Sequence, residues 1–97
     1  MPYAVKWSPQ AELTYVHILD YLIDDWGTKV LEAFMDRTDD LIKHIQENPL
    51  QYVYSKEQNA YRAVVTKQVN LYYRIHGTQV ELLIFWDNRQ NPDNLKI

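Results

Sequence analysis

The stretch from Val69 to Trp86 (VNLYYRIHGTQVELLIFW) restricts what this chain can fold into more than any other. Val69, Leu71, Tyr73 and Ile75 alternate with Asn70, Tyr72, Arg74 and His76, the period of two that sends one set to each face of a strand. Val80 to Trp86 is apolar at nearly every position, as in a strand central to a sheet. His76-Gly77-Thr78-Gln79 joins the two runs with Gly-X at its centre, the type II′ hairpin signal. With Gly77 and Thr78 as the loop, His76 stands opposite Gln79, Arg74 opposite Glu81, Tyr73 opposite Leu82, Tyr72 opposite Leu83 and Asn70 opposite Phe85. One face then carries Val69, Leu71, Tyr73, Ile75, Val80, Leu82, Ile84 and Trp86, a continuous apolar layer. The other carries Asn70, Tyr72, Arg74, Glu81, Leu83, Phe85 and Asp87. A core needs the first face, so a site is expected on the second.

The preceding chain supplies the elements that cover this hairpin. Tyr3 to Trp7 reads as a short strand. Ser8-Pro9 starts a helix, with Ser as N-cap, Pro at the first helical position and Glu12 in the first turn. Ala11, Tyr15, Ile18, Leu19, Leu22 and Trp26 form its apolar stripe, and Gly27 suits the C′ position. Thr28 is the expected N-cap of a second helix running to about Glu47. Val30, Phe34, Leu41 and Ile45, with Leu31, Ala33, Thr38 and Ile42, face inward there, and Asp36, Asp39, Asp40 and Lys43 face water. Asn48-Pro49 ends it. A link this short forces an αα-hairpin. Leu50 to Asn59 has no steady period and reads as a loop, and a further strand begins near Ala60. The expectation is a single α+β domain over residues 1–97: an N-terminal strand, an αα-hairpin, then a three-stranded antiparallel meander, with the helices on one face of the sheet.

Composition narrows the chemistry. No cysteine means no disulfide and no thiolate metal site, which fits a reducing, cytoplasmic setting. No apolar run has the length of a membrane span. Residues 1–58 carry 5 Lys/Arg against 10 Asp/Glu, and residues 59–97 carry 5 against 3. Phosphate contacts need a basic surface, so a chain of net charge −3 is a poor general binder of nucleic acid. His17, His44 and His76 sit on separate elements without ligand spacing, so no metal is expected. With two glycines there is no glycine-rich phosphate loop, and no cofactor is implied.

The combination of VKWSPQAELTYVHILDYLIDDWG, a helix ending in ENP, YRAVVTKQVNLYYRI, VELLIFWD and NRQNP resembles the RelE/ParE superfamily, the growth-inhibiting toxins of bacterial type II toxin–antitoxin pairs. The likeness runs along essentially the whole chain and implies the fold argued above. It also implies a cognate antitoxin that wraps an otherwise disordered segment around the toxin. RelE-like members are ribosome-dependent ribonucleases with arginines and lysines for phosphate and a tyrosine or histidine as acid or base. ParE-like members, often met as plasmid stabilisation proteins, lack that set and poison DNA gyrase by a protein–protein contact.

Placed against that division, the strand matching NLYYRI opens with Asn70 where the ribonucleases have an arginine, and Asn70 offers no positive fork for phosphate. Arg89 matches the arginine after the last strand. The tyrosine expected further on falls near Leu95, which has no proton to give, and proton transfer is worth about 10²–10⁴ in rate. The expected activity is therefore ParE-like target binding, with DNA gyrase as the target the resemblance implies. The alternatives are a divergent ribonuclease of ribosome-bound mRNA built on Arg62, Arg74, His76 and Arg89, and a non-toxic relic that only binds its antitoxin. The candidate target-binding residues are Arg62, Tyr72, Arg74, Trp86 and Arg89. Arg62 pairs with Arg74 on the mixed face if the loop before its partner strand has three residues, and faces Tyr73 if it has two. Arg74 has the ordinary alternative of an ion pair with Glu81, and Arg89 that of a pair with Asp87. Tyr52 and Tyr54 are candidate partner anchors or covers for the core.

Overall fold

The structure, a computed structural model, describes residues 2–97. Strand β1 (Ala4–Trp7) leads into helices α1 (Pro9–Asp25) and α2 (Thr28–Glu47), then strands β2 (Val53–Ser55), β3 (Ala60–Thr66), β4 (Val69–His76) and β5 (Gln79–Asp87). Single 3₁₀ turns follow α2 (Pro49–Gln51) and β5 (Pro92–Asn94). The sheet order is β1-β5-β4-β3-β2, with β1 parallel to β5 and the other pairs antiparallel. Both helices pack on one face, α1 over β5 and α2 over β3, as the sequence leads one to expect.

Two local expectations are corrected. The stretch Leu50–Asn59 is not all loop: Val53–Ser55 pairs with Arg62–Ala60 as an edge strand too short and too exposed to show a period. Thr28 is not the N-cap of α2 but its first residue, because Gly27 takes the cap position at φ +90°, where a side chain would be strained.

The larger correction concerns register. From His76–Gln79 to Tyr73–Leu82 the β4–β5 pairing is the expected one. Beyond it Tyr72 faces Ile84 and Asn70 faces Trp86, because Leu83 is an extra residue on β5. The backbone at this bulge is held from the helix side. Ser8 N donates to Leu82 O (2.9 Å) and Ser8 Oγ to Leu83 O (2.9 Å), while Thr14 Oγ1 accepts from Phe85 N (3.0 Å). Ser8 Oγ also accepts from Ala11 N at 3.0 Å, so one hydroxyl caps α1 and pins β5. The slip turns Phe85 toward the helices, where its ring meets those of Trp7 and Tyr15, and turns Ile84 and Trp86 away. A second bulge, at Val65 on β3, precedes a two-residue turn of Lys67 and Gln68. Arg37 Nε donates to the Val65 carbonyl (3.1 Å), and the bulge lets both Ala63 and Val65 point into the core.

Two apolar clusters result. The helix-side core contains Ala11, Phe34, Ile45, Ala63, Val65, Leu71, Tyr73, Val80, Leu82 and Phe85. The opposite face, expected to be a mixed surface, holds Ala60, Tyr72, Leu83, Ile84 and Trp86 beneath Leu95 and Ile97 of the C-terminal segment. That segment is tied back by Gln10 Nε2, which donates to Lys96 O at 3.2 Å. No described helix is long and apolar enough to cross a membrane.

Replacing Ser8 by Ala removes a cap and leaves Leu83 O without its partner. The expected loss is about 1–2 kcal/mol in urea denaturation with an unchanged m-value. Tyr73 Oη donates to Pro49 O (2.7 Å) inside the core, and burial pushes its pKa above the ordinary tyrosine range. A raised acid contributes stability that is complete below pH ~10 and lost as pH rises past it. The wild type should therefore lose stability above pH 10 more steeply than Tyr73→Phe, measured as the urea midpoint against pH.

Candidate functional site

The register decides which candidates share a surface. Arg62 faces Tyr72, and Arg74 faces Glu81, so Arg62, Tyr72, Arg74 and His76 lie on the face away from the helices. Of the two loop lengths considered for the Arg62 strand the turn has the shorter, two residues, but the Val65 bulge moves Arg62 from Tyr73 to Tyr72 and so to the outer face. Lys6 of β1, which stands beside Glu81, is on the same face.

What these side chains do differs from expectation. The Arg74 guanidinium does not pair with Glu81. Its Nε donates to Asn59 O (2.8 Å) and its Nη2 to Gln58 O (3.1 Å), fastening the β2–β3 turn where Asn59 takes φ +53°. Glu81 is met by His76 Nε2 at 3.1 Å instead. Tyr72 and Trp86, at 6% and 8% exposure, are core of the outer cluster and offer little surface to a partner. Asn70, also buried, donates through Nδ2 to Asn88 Oδ1 (3.2 Å). Tyr52 sets its ring edge-on to Tyr73, covering the core, and Tyr54 donates to Asn59 Oδ1 while its ring packs on Tyr61.

Arg89 lies elsewhere. It follows the end of β5, whereas Arg74 stands near that strand's start, roughly 20 Å away at ~3.3 Å per residue. Arg62, Arg74 and Arg89 are therefore not one anion clasp. Arg89 Nε donates to both oxygens of Asp87 (3.0 and 3.2 Å), Nη2 to Oδ2 (2.6 Å) and Nη1 to Tyr21 Oη (3.1 Å), with the guanidinium 5.0 Å from the Tyr21 ring centroid. The Arg89 bonds hold the Asp87 carboxyl below its ordinary pKa. They also lower the Tyr21 phenol, with Trp26 adding a second hydrogen bond. The pair with Asp87 occurs, but it is part of a three-residue clasp.

That clasp borders a groove of about 690 Å³ between the tip of the helical hairpin and the end of the sheet. α1 contributes His17, Tyr21 and Leu22; α2 contributes Val30, Phe34 and Arg37; the β3–β4 turn contributes Lys67; the floor is Val69 and Phe85. Trp26, 64% exposed, stands at the tip. The volume lies in the range of ligand-sized clefts and the lining is largely apolar with a few cations. Of these residues only Arg89 was singled out from the sequence. Tyr21 was missed because nothing in a helical stripe connects it with residue 89.

No protein-family profile matches the sequence, and no curated protein matches it. Solved structures do. A chain of a chromosomal ParDE toxin–antitoxin system from P. aeruginosa superposes with a TM-score of 0.75 at 15% identity, over 88% of this chain and 95% of that one. A YoeB/ParE toxin from Agrobacterium tumefaciens gives 0.59 at 11%, over 87% and 97%. A YoeB dimer from Staphylococcus aureus gives 0.57 at 14%, over 87% and 94%. The chain has the RelE/ParE toxin fold. Asn70 ties β4 to Asn88, and Leu95 closes the outer core.

Arg89→Ala should return the Asp87 and Tyr21 pKa values upward toward their ordinary ranges, read by NMR titration. The Asp87 carboxyl is depressed in the folded state, so its contribution is present above the ordinary carboxylate pKa of about 3.9 and lost as pH falls through the folded value. The stability difference between wild type and Arg89→Ala should accordingly shrink toward zero in strong acid.

Proposed function

We propose that this chain is a single-domain, cytoplasmic toxin of a type II toxin–antitoxin pair, ParE-like in acting by binding a host protein, with DNA gyrase the first target to test. The observation that carries this reading is the use made of residues 70 and 95. Where ribosome-dependent cleavage needs a cation and a proton donor, Asn70 is committed to a hydrogen bond with Asn88 and Leu95 to packing in the outer cluster. The fold itself supports the toxin class. The exposed cations Arg62 on β3 and Lys6 on β1, with Arg74, put positive charge on the outer sheet face of an acidic chain, suited to an acidic protein surface.

One observation favours the ribonuclease alternative. Tyr21 brings a phenol with a lowered pKa against Arg89, so an acid–base group absent near Leu95 is present in space on another element.

Induction of this chain alone should arrest growth with replication stopping before translation, and the purified protein should block gyrase supercoiling while leaving ribosome-bound mRNA intact. Message fragments that disappear with Tyr21→Phe would transfer the assignment to the ribonuclease. Charge reversal at Arg62 (Arg62→Glu) should reduce gyrase inhibition by about tenfold or more, the scale of a lost interfacial charge contact.

A further inference from the structure

Of the eight tyrosines, Tyr21 is, among the described residues, the one whose phenol oxygen meets a cation. Tyr73 is fully buried and spends its hydroxyl on Pro49 O, and Tyr54 donates to Asn59 Oδ1. Burial pushes the Tyr15 and Tyr52 phenols up, the opposite direction from Tyr21. At Tyr21 the oxygen accepts from Arg89 Nη1 (3.1 Å), and the guanidinium lies 5.0 Å from the ring centroid. A cationic donor aimed at a phenol oxygen favours its anion, and the anion is the nucleophile. The ring is only partly covered and lines the groove, so an electrophile can reach it.

The groups around this oxygen select the electrophile. α1 brings His17 one turn before Tyr21 and Asp25 one turn after, and Trp26 adds a second hydrogen bond. The end of β5 brings Asp87 and Arg89, and across the groove stand Arg37 of α2 and Lys67 of the β3–β4 turn. Two carboxylates are thus set against three cations, above an apolar floor of Val69 and Phe85. A fitting donor has an apolar part for the floor and an anionic leaving group for the cations. We propose that Tyr21 is an acyl-acceptor site and that the groove presents it to acyl phosphates. The Tyr21 oxygen attacks the carbonyl carbon; an ester C–O bond forms, and the bond from that carbon to the phosphate oxygen breaks. Phosphate leaves with the electron pair and takes up the phenol's proton, so one tyrosine and one acyl phosphate give one O-acyl-tyrosine and one hydrogen phosphate. Arg89 is the positioning residue that draws the phenol into its ionised form, and Lys67 and Arg37 meet the charge of the departing phosphate. This chemistry does not rest on the toxin reading.

Acetyl phosphate and the uncharged donor N-acetylimidazole test the two halves of this proposal on the whole chain. Mass-spectrometric mapping should find acetyl on Tyr21 at least tenfold faster than on the exposed Tyr54 with either donor, and hydroxylamine should remove it. The rate at Tyr21 should rise with pH and level off below the ordinary tyrosine pKa of about 10. Arg89→Ala should move that rise up toward about 10, a displacement that a merely structural role for Arg89 does not produce. Lys67→Glu, with folding verified by circular dichroism, should slow acetyl phosphate severalfold and leave N-acetylimidazole unchanged. Tyr21→Phe should abolish the fast, hydroxylamine-sensitive label. The proposal is overturned by label spread over Tyr3, Tyr54 and Tyr61 according to exposure, or by acetyl confined to lysines such as Lys67. An unchanged pH profile in Arg89→Ala overturns it as well, as does a Lys67→Glu variant that slows both donors alike.

Discussion

Ser8 is the constraint on which most of this fold depends. Its hydroxyl accepts from the first turn of α1 and donates to Leu83 O, and its backbone N–H donates to Leu82 O. A helix start, a parallel strand pair and a β-bulge are thereby locked to one another. Without the bulge, the alternation along β5 would send Ile84 and Trp86 to the helices and Phe85 away from them. With it, Phe85 joins Trp7 and Tyr15 in an aromatic group under α1, and Trp86 becomes the centre of a second core. A bulge displaces every side chain beyond it by one position, which on a period of two means the opposite face.

The Val65 bulge does the same service on the other side of the sheet. Arg37 reaches from α2 to the carbonyl that the bulge leaves unpaired, so each helix satisfies one irregularity in the strand it covers. This links the architecture to the groove. Arg37 and Lys67 are brought together because the bulge and the turn that follows it lie under the same stretch of α2. Arg89 faces them because β5 ends beside α1. The cations of the groove are thus a consequence of how the sheet is fastened to its helices, not of any cluster in the chain.

Apolar residues cover part of the outer sheet face. Tyr72 and Trp86 are buried there beneath Leu95 and Ile97 of the C-terminal segment. The arginines are dispersed as well. Arg74 serves the β2–β3 turn and Arg89 serves Asp87 and Tyr21, and they belong to opposite ends of β5. What remains is a protein with two faces of different character: an outer sheet with exposed cations, and an apolar groove rimmed by them.

Most of the architecture was legible in the order of residues: Ser8-Pro9 starting a helix, the stripes of α1 and α2 apart from the exposed Trp26, Val30 and Ala33, the break at Asn48-Pro49, and the Gly77-Thr78 turn with its first four pairs. These are local matters, settled by capping, periodicity and turn chemistry over a few neighbouring residues. The faces of Ile84, Phe85 and Trp86, the register of Arg62, the short edge strand Val53–Ser55 and the meeting of Tyr21 with Arg89 were not legible there. The edge strand, paired with its near neighbour β3, is too short to show a period; each of the others depends on a hydrogen bond or contact between residues far apart in the chain, such as Ser8 with Leu83 or Arg37 with Val65. No pattern along the chain records which unpaired carbonyl a distant side chain will find, so only the packed structure could place the groove and its clasp.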